Sequence, residues 1–298
     1  MLAFLGLAHI SRREQAARPD AQRTNGFGVT RGASRARLPY LGPVHPPHDI
    51  GISSSAYSEL LLPAALERIA AVAPSTEIRS FGLHTLLSRR NRRAALEAGL
   101  PCSVHGPFGY TDLGDVSEAA RLEVLDEHRR HLEAAAEIGA TLYLVHPDWR
   151  PDPGPRDSAV VSALERSFDA LRELQVETGV PIVVENMPGA GCSHLTAPGD
   201  LDLRGLGFAL DVGHASISGT LDAFLAAPPP ELRHVHLHSN AGVGDLDDPH
   251  LPLGAGVVGA AAVLAAARAA GASVVLELNN ADDVATSLAY LRGRGLIP

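Results

Sequence analysis

The sequence predicts an α/β protein of the (β/α)8 TIM barrel class. Three observations carry that expectation. Eight short apolar runs recur between Asp49 and Pro298, helix-like stretches lie between them, and several of those stretches stop at a glycine. The runs are continuously apolar rather than alternating, which suits strands buried on both faces of a parallel sheet. Eight such units in this length match a closed barrel better than an open sheet. A doubly wound sheet is the runner-up. It would normally carry a glycine-rich phosphate turn after its first strand, and here that turn reads S-S-S-A-Y.

In order, the strand candidates are residues 49–53, 77–81, 102–105, 141–146, 181–185, 207–211, 233–238 and 273–277. Residues 117–138 place Leu122, Leu125, Leu132 and Ala136 near one helical face, and Gly139 offers a stop. Residues 158–178 repeat the pattern with Leu164, Phe168, Leu171 and Gln175 before Gly179. An alanine-rich helix over 257–270 ends at Gly271. These units form one domain over 48–298. Residues 1–47 read differently, with seven arginines, two acids and no sustained period. We expect a disordered, functionally silent extension there, or translated sequence ahead of the true start.

Composition narrows the chemistry. The 298 residues hold 25 basic side chains, every one an arginine, and 34 carboxylates, for a formal charge of −9. With +5 in the extension, the barrel carries −14. Without lysine there is no Schiff-base aldolase, pyridoxal-phosphate lysine or P-loop lysine. Cys102 and Cys192 are too few for a disulfide framework or a cysteine zinc cluster. No apolar run is long enough to cross a bilayer, so a cytoplasmic location is the expectation.

The ends of the runs carry the candidate site. The third ends in His105, the fourth in His146, the fifth in Glu185 and the sixth in Asp211, with His214 three residues on. The seventh carries His236, the eighth ends in Glu277, and the segment D-L-D-D-P-H between them offers Asp248 and His250. Strand carboxyl ends converge on one rim in a barrel, where active sites lie. Any one of these residues is more often a cap or turn residue than a ligand, but structural accidents do not keep landing on one rim. Glu185 and Glu277 follow apolar residues at buried strand ends, where an uncompensated carboxylate is costly. Nitrogen and oxygen donors without thiolate suit divalent ions such as zinc, manganese, iron or magnesium.

The segments V-H-G-P-F (104–108), L-V-H-P (144–147), V-V-E-N-M-P-G (183–189), L-D-V-G-H-A (210–215), H-V-H-L-H-S-N (234–240), H-L-P-L-G-A-G (250–256) and V-L-E-L (275–278) resemble the xylose isomerase-like barrels. That superfamily contains sugar isomerases and epimerases and the endonuclease IV type of abasic-site nuclease. For the nuclease branch, the resemblance implies three zinc ions held by His105, His146, Glu185, Asp211, His214, His236, Asp248, His250 and Glu277. For the epimerase branch it implies one ion, zinc or manganese, held by Glu185, Asp211, His236 and Glu277, a set nested within the larger one. Where the nuclease branch has H-x-N-D after the seventh-strand histidine, this chain has H-L-H-S with His238 and Ser239. Val212 stands where that branch has threonine. An acidic barrel also suits DNA poorly, although S-R-R-N-R-R (88–93) is a counter-signal; those arginines would equally suit a phosphate-bearing sugar.

The preferred expectation is therefore a metal-dependent isomerase or epimerase of a sugar or sugar phosphate. Glu185 and Glu277 would move the proton beside a chelated hydroxy-carbonyl. Trp149, Asn186 and His238 are expected to contact substrate, and a homo-oligomer is among the assemblies open to the barrel. The alternative is a trinuclear zinc phosphodiesterase acting on abasic-site DNA. Several histidines are set aside. His9, His45 and His48 lie in or beside the extension, and His128 and His131, flanking Arg129 and Arg130, are expected on the surface. His194 sits in a loop near the rim, and His234 is expected to pack or hydrogen-bond lower in the barrel.

Overall fold

Eight parallel strands close on themselves in sequence order: β1 (Ile50–Ser53), β2 (Thr76–Arg79), β3 (Cys102–His105), β4 (Tyr143–Val145), β5 (Ile182–Glu185), β6 (Gly207–Asp211), β7 (Leu232–Leu237) and β8 (Ser273–Leu276). The chain is thus the (β/α)8 barrel its sequence pattern predicts. The computed structural model describes residues 49–109, 111–150, 154–189, 191–244 and 248–298. The arginine-rich segment 1–47 lies outside the described residues, as do Pro151–Pro153 and 245–247.

The helices are α1 (Leu62–Ala70), α2 (Arg89–Ala98), α3 (Glu118–Glu137), α4 (Ser158–Thr178), α5 (Val212–Ile217), α6 (Leu221–Ala226), α7 (Ala260–Ala270) and α8 (Ala281–Gly293). Local chemistry fixes their ends. The Ser117 and Asp157 side chains cap α3 and α4, and Gly179 and Gly271 close α4 and α7 in the left-handed conformation. The turn S-S-A-Y (54–57) forms a single buried 3-10 turn after β1. Among the described residues no helix lies between β5 and β6. That connection is a loop rich in glycine and proline, anchored where Asp148 accepts from the Ser193 hydroxyl and pairs with His194 Nδ1 at 2.6 Å.

Alternation along each strand divides the apolar side chains into two clusters. Ile78, Val104, Tyr143, Val145, Ile182, Val184, Phe208, Leu210, Val235, Leu237, Val274 and Leu276 join the layer between sheet and helices. Leu142, Leu144, Val183 and Ala209 form a separate cluster inside the barrel. Because successive side chains point to opposite faces, the remaining strand residues also face inward. Among them are Glu77 and Arg79, Ser103 and His105, Glu185, Asp211, His234 and His236, and His146, His238 and Glu277 continue the inward face one residue past β4, β7 and β8. The apolar inner floor ends about halfway up, and polar groups take over above it.

Helix α3 corrects two expectations. Leu122 is 52% exposed, and the buried face runs through Leu125, His128, His131, Leu132 and Ala135. His128 and His131 are therefore interior, not surface, residues. His128 Nδ1 meets the Tyr143 hydroxyl at 3.0 Å, and His131 bridges the Ser80 hydroxyl and Glu127. Their arginine neighbours occupy the adjacent, solvated side of the helix. Burial pushes the His128 imidazole down to about 3.

Candidate metal centre

The inward positions at the carboxyl ends of β3 to β8, with His214 on α5 and Asp248 and His250 on the connection after β7, bring all nine expected ligand residues together in three groups. Ligand atoms of His105, His146 and Glu185 lie within 4.8 Å of one another; so do those of Glu185, Asp211, His236 and Glu277, and those of His214, Asp248 and His250. Glu185 belongs to the first two groups. Its Oε2 faces His146 Nε2 at 2.9 Å and His105 Nε2 at 3.7 Å, while its Oε1 faces His236 Nδ1 at 3.1 Å. Asp248 Oδ2 stands 3.5 Å from His214 Nε2 and 3.6 Å from His250 Nε2.

Most of the imidazoles are oriented by a bond on the nitrogen that faces away from its group. His105 Nδ1 bonds the Gly106 carbonyl at 2.8 Å, His214 Nδ1 the Asn186 carbonyl at 2.9 Å, and His250 Nδ1 the Glu277 carbonyl at 3.2 Å. His236 is held the other way round. Its Nε2 meets Glu77 Oε1 at 2.9 Å, leaving Nδ1 toward Glu277 at 2.8 Å and Asp211 at 3.6 Å. Tying one nitrogen fixes the tautomer and aims the other lone pair, as in the outer shell of metal sites. Asn186 acts as a bracket: its amide accepts from the Asp211 N–H and donates to the Asp211 carbonyl.

Sequence reading missed Glu77. It sits one layer below the rim, fully buried, accepting from the Ser103 hydroxyl and contacting His234 Nε2 at 3.0 Å as well as His236. Burial alone would raise its pKa, but His236 and His234 outweigh it and hold the carboxyl well below the usual range. The inward alternation of T-E-I-R in β2 was the available signal. His234 does hydrogen-bond below the rim, through Glu77 and the Ser273 hydroxyl.

Two observations test whether ions fit. Glu185 Oε2, Asp211 Oδ2 and His238 Nδ1 are buried without a hydrogen-bond partner; the close approach of His146 to Glu185 is too poorly aligned to be one. Two orphaned carboxylate oxygens in a dry interior are what a bound cation would satisfy. Second, Asp248 and His250 have φ of 32° and 48°, left-handed values that side-chain-bearing residues rarely adopt. Strain of this kind, about 1–3 kcal/mol per residue, persists where a site demands it. The donor set fits divalent ions.

In the ion-free chain the imidazoles balance the carboxylates. Burial opposes a charged His238, yet Asp211 and Asp248 raise it to about 9. Burial likewise opposes charge on His214 and His236, and facing carboxylates raise both. The other expected substrate contacts differ in setting. His238 is completely buried, with Nε2 3.2 Å from Asp248 Oδ2 and its ring stacked on His250 at 4.0 Å. Trp149 is 43% exposed, and its indole N–H donates to the Pro188 carbonyl. Arg89, Arg90, Arg92 and Arg93 lie in α2, where Arg93 pairs with Glu97 and Arg92 with Glu137.

The model of the xylose isomerase-like TIM barrel family matches residues 68–294. The chain belongs to that family. It is 31% identical to a probable endonuclease 4 of Mycobacterium tuberculosis over 222 residues, covering 69% of this chain and 83% of the relative. A D-tagatose 3-epimerase-like protein superimposes with a TM-score of 0.72 at 27% identity, over 82% of this chain and 96% of the other. The TTHB071 protein of Thermus thermophilus, in a structure soaked with zinc chloride, does so with a TM-score of 0.59 at 26% identity, over 82% and 96%. Members of the family thus include epimerases and endonucleases, both enzymes. No helix among the described residues is long and apolar enough to cross a membrane.

Proposed function

We propose that this barrel is a trinuclear divalent-metal phosphodiester hydrolase, with zinc as the resident ion and abasic-site DNA as the first substrate to test. The observation that carries the reading is the set of three convergent ligand groups, two of them sharing Glu185. A single-ion epimerase has use for Glu185, Asp211, His236 and Glu277 alone. It gives no reason for His105, His146, His214, Asp248 and His250 to converge as well, two of them from strained backbone.

The chain's own residues do the following. Glu185, kept ionised by His236 and His146 against the cost of burial, holds two ligand groups at one vertex. Asp211 joins the second group to the third, because its Oδ1 accepts the His214 N–H at 2.7 Å while Oδ2 faces inward. Phe108 packs on His105 and His146 at 5.2 and 5.5 Å and shields that flank from water. The chemistry that divalent ions would supply there is Lewis acidity, lowering the pKa of water and neutralising charge on phosphoryl oxygens.

The sugar epimerase expectation remains the second reading, favoured by the D-tagatose 3-epimerase-like neighbour and by His238 in place of the nuclease-branch asparagine. In it Glu185 and Glu277 would exchange the proton. Metal analysis of protein purified without added metal, joined to an incision assay, separates the two. Close to about three zinc ions per chain with cleavage of an abasic duplex supports the hydrolase. About one ion per chain, with epimerisation of a ketose and no cleavage, rejects it in favour of the second reading.

A further inference from the structure

The rim ring holds one permanent cation, and none of the ligand groups uses it. Arg79 ends β2, two residues after the inward-facing Glu77 and therefore on the same face, one layer higher. It is in register with His105 on the neighbouring strand. Its guanidinium carbon lies 5.5 Å from the centre of the Phe108 ring, the same ring that packs on His105 and His146. Arg79 is thus a fixed cation beside the first ligand group. The corresponding inward positions of β3 to β8 carry imidazoles and carboxylates.

Among the described residues this cation forms no salt bridge; Glu277 acts on it only from a distance and does not offset its burial. Other buried or half-buried arginines have partners: Arg92 pairs with Glu137, Arg121 with Glu118 and the Ser167 hydroxyl, and Arg150 and Arg233 donate to backbone carbonyls. Among the described residues no carboxylate comes within 4.0 Å of the Arg79 nitrogens, and no carbonyl accepts from them. Its half-buried position denies the guanidinium full hydration. A partly desolvated cation left without a partner is unfavourable until an anion arrives, and the planar fork of arginine matches two oxygens of a phosphoryl group. The face of Phe108 orients the guanidinium plane without neutralising it.

We propose that Arg79 is the anion-binding residue of this site, taking two non-bridging oxygens of a substrate phosphoryl group next to the His105, His146 and Glu185 ligands. The proposal rests on the phosphodiester reading above for the identity of the substrate, and on the unpaired cation alone for its ligand class. It also accounts for a guanidinium in a ring otherwise built to attract cations. In a chain without lysine, arginine is the one permanent positive charge available for the task.

The test uses inorganic phosphate titrated by calorimetry into the zinc-loaded full-length protein. Arg79→Met keeps the stem packed on Phe108 and removes the charge. Phosphate affinity should fall by at least about tenfold, with zinc content and melting temperature unchanged. Arg79→Lys should recover part of the loss but not the bidentate geometry, and it provides the comparison if the methionine variant does not fold. Equal phosphate affinity in the wild type and both variants overturns the proposal, as does a zinc-loaded wild type that binds no phosphate. Failure of the hydrolase reading looks different: phosphate binding still depends on Arg79, but no phosphodiester is cleaved.

Discussion

His238 fits against Gly213 only because Gly213 has no side chain. A Cβ at that position would lie 2.7 Å from His238 Cδ2 and 2.8 Å from Cε1, and closer still to Nε2. Gly213 opens the short helix α5 that carries His214, and His238 Nε2 contacts Asp248. The pair therefore sits between two ligands of the third group.

Gly213→Ala should displace the imidazole and disturb that group first. The clash is steric, since Gly213 is not among the positive-φ glycines. Overpacking of this kind costs about 1–3 kcal/mol. We expect a lower melting temperature and, on the proposed trinuclear reading, loss of about one ion per chain. Full metal content in the alanine variant would rule out this dependence.

Glu77→Gln should weaken metal binding without touching a ligand. The neutral amide no longer supports both His236 and His234, so His236 is free to turn its Nδ1 away from Glu277. Loss of such an outer partner lowers metal affinity about 10–100-fold. Competition with a chromogenic chelator reads it directly, and an unchanged affinity would reduce Glu77 to a packing residue.

Chelation should destabilise the barrel and returning zinc should restore it. Ligands that bind only the native state add stability in proportion to their occupancy. Without ions, Glu185 and Glu277 retain like charges around His236, and Asp211 Oδ2 stays unpaired. Thermal melts with and without chelator measure the difference. In Glu185→Ala, which removes the residue shared by two groups, the chelator-sensitive part of the shift should shrink by more than half.

His128 predicts a slope on the acid side. Its folded pKa of about 3 lies below the ordinary value of 6.5, so the native state holds fewer protons than the unfolded chain between those values. Its contribution is complete above pH 6.5 and is lost as pH falls toward about 3. One such group gives about 1.4 kcal/mol per pH unit within the window. His128→Gln, which can still meet the Tyr143 hydroxyl, should flatten that part of the profile in urea melts at pH 6.5 and 4.5. An identical slope in the variant would show that other groups set it.

The fold and all nine convergent residues were legible because both depend on one strong pattern. Apolar runs mark strands, and what ends a barrel strand, or follows it closely as His214, Asp248 and His250 do, is delivered to one rim. What stayed hidden follows from the same logic. Glu77 opens a run rather than closing it, so nothing at a carboxyl end marks it, although the alternation T-E-I-R places it inward. His128 and His131 were misread because Arg129 and Arg130 between them advertise solvent, while the three- and four-residue spacing to Leu125, Leu132 and Ala135 marks the buried face. The loop joining β5 to β6 replaces an expected helix, since its proline and glycine content cannot sustain one.

The third ligand group differs from the others in how it is mounted. Asp248 and His250 hang from a connection in left-handed backbone, and His214 rides on a six-residue helix, whereas Glu185 and Asp211 are cast into strands. Inheritance can therefore act on the two parts separately. A lineage could rewrite the 248–250 connection and surrender an ion while the inner quartet of Glu185, Asp211, His236 and Glu277 stays whole. In that sense one barrel blueprint would serve either a many-ion hydrolase or a one-ion epimerase, and the connection after β7 is where descent would choose between them.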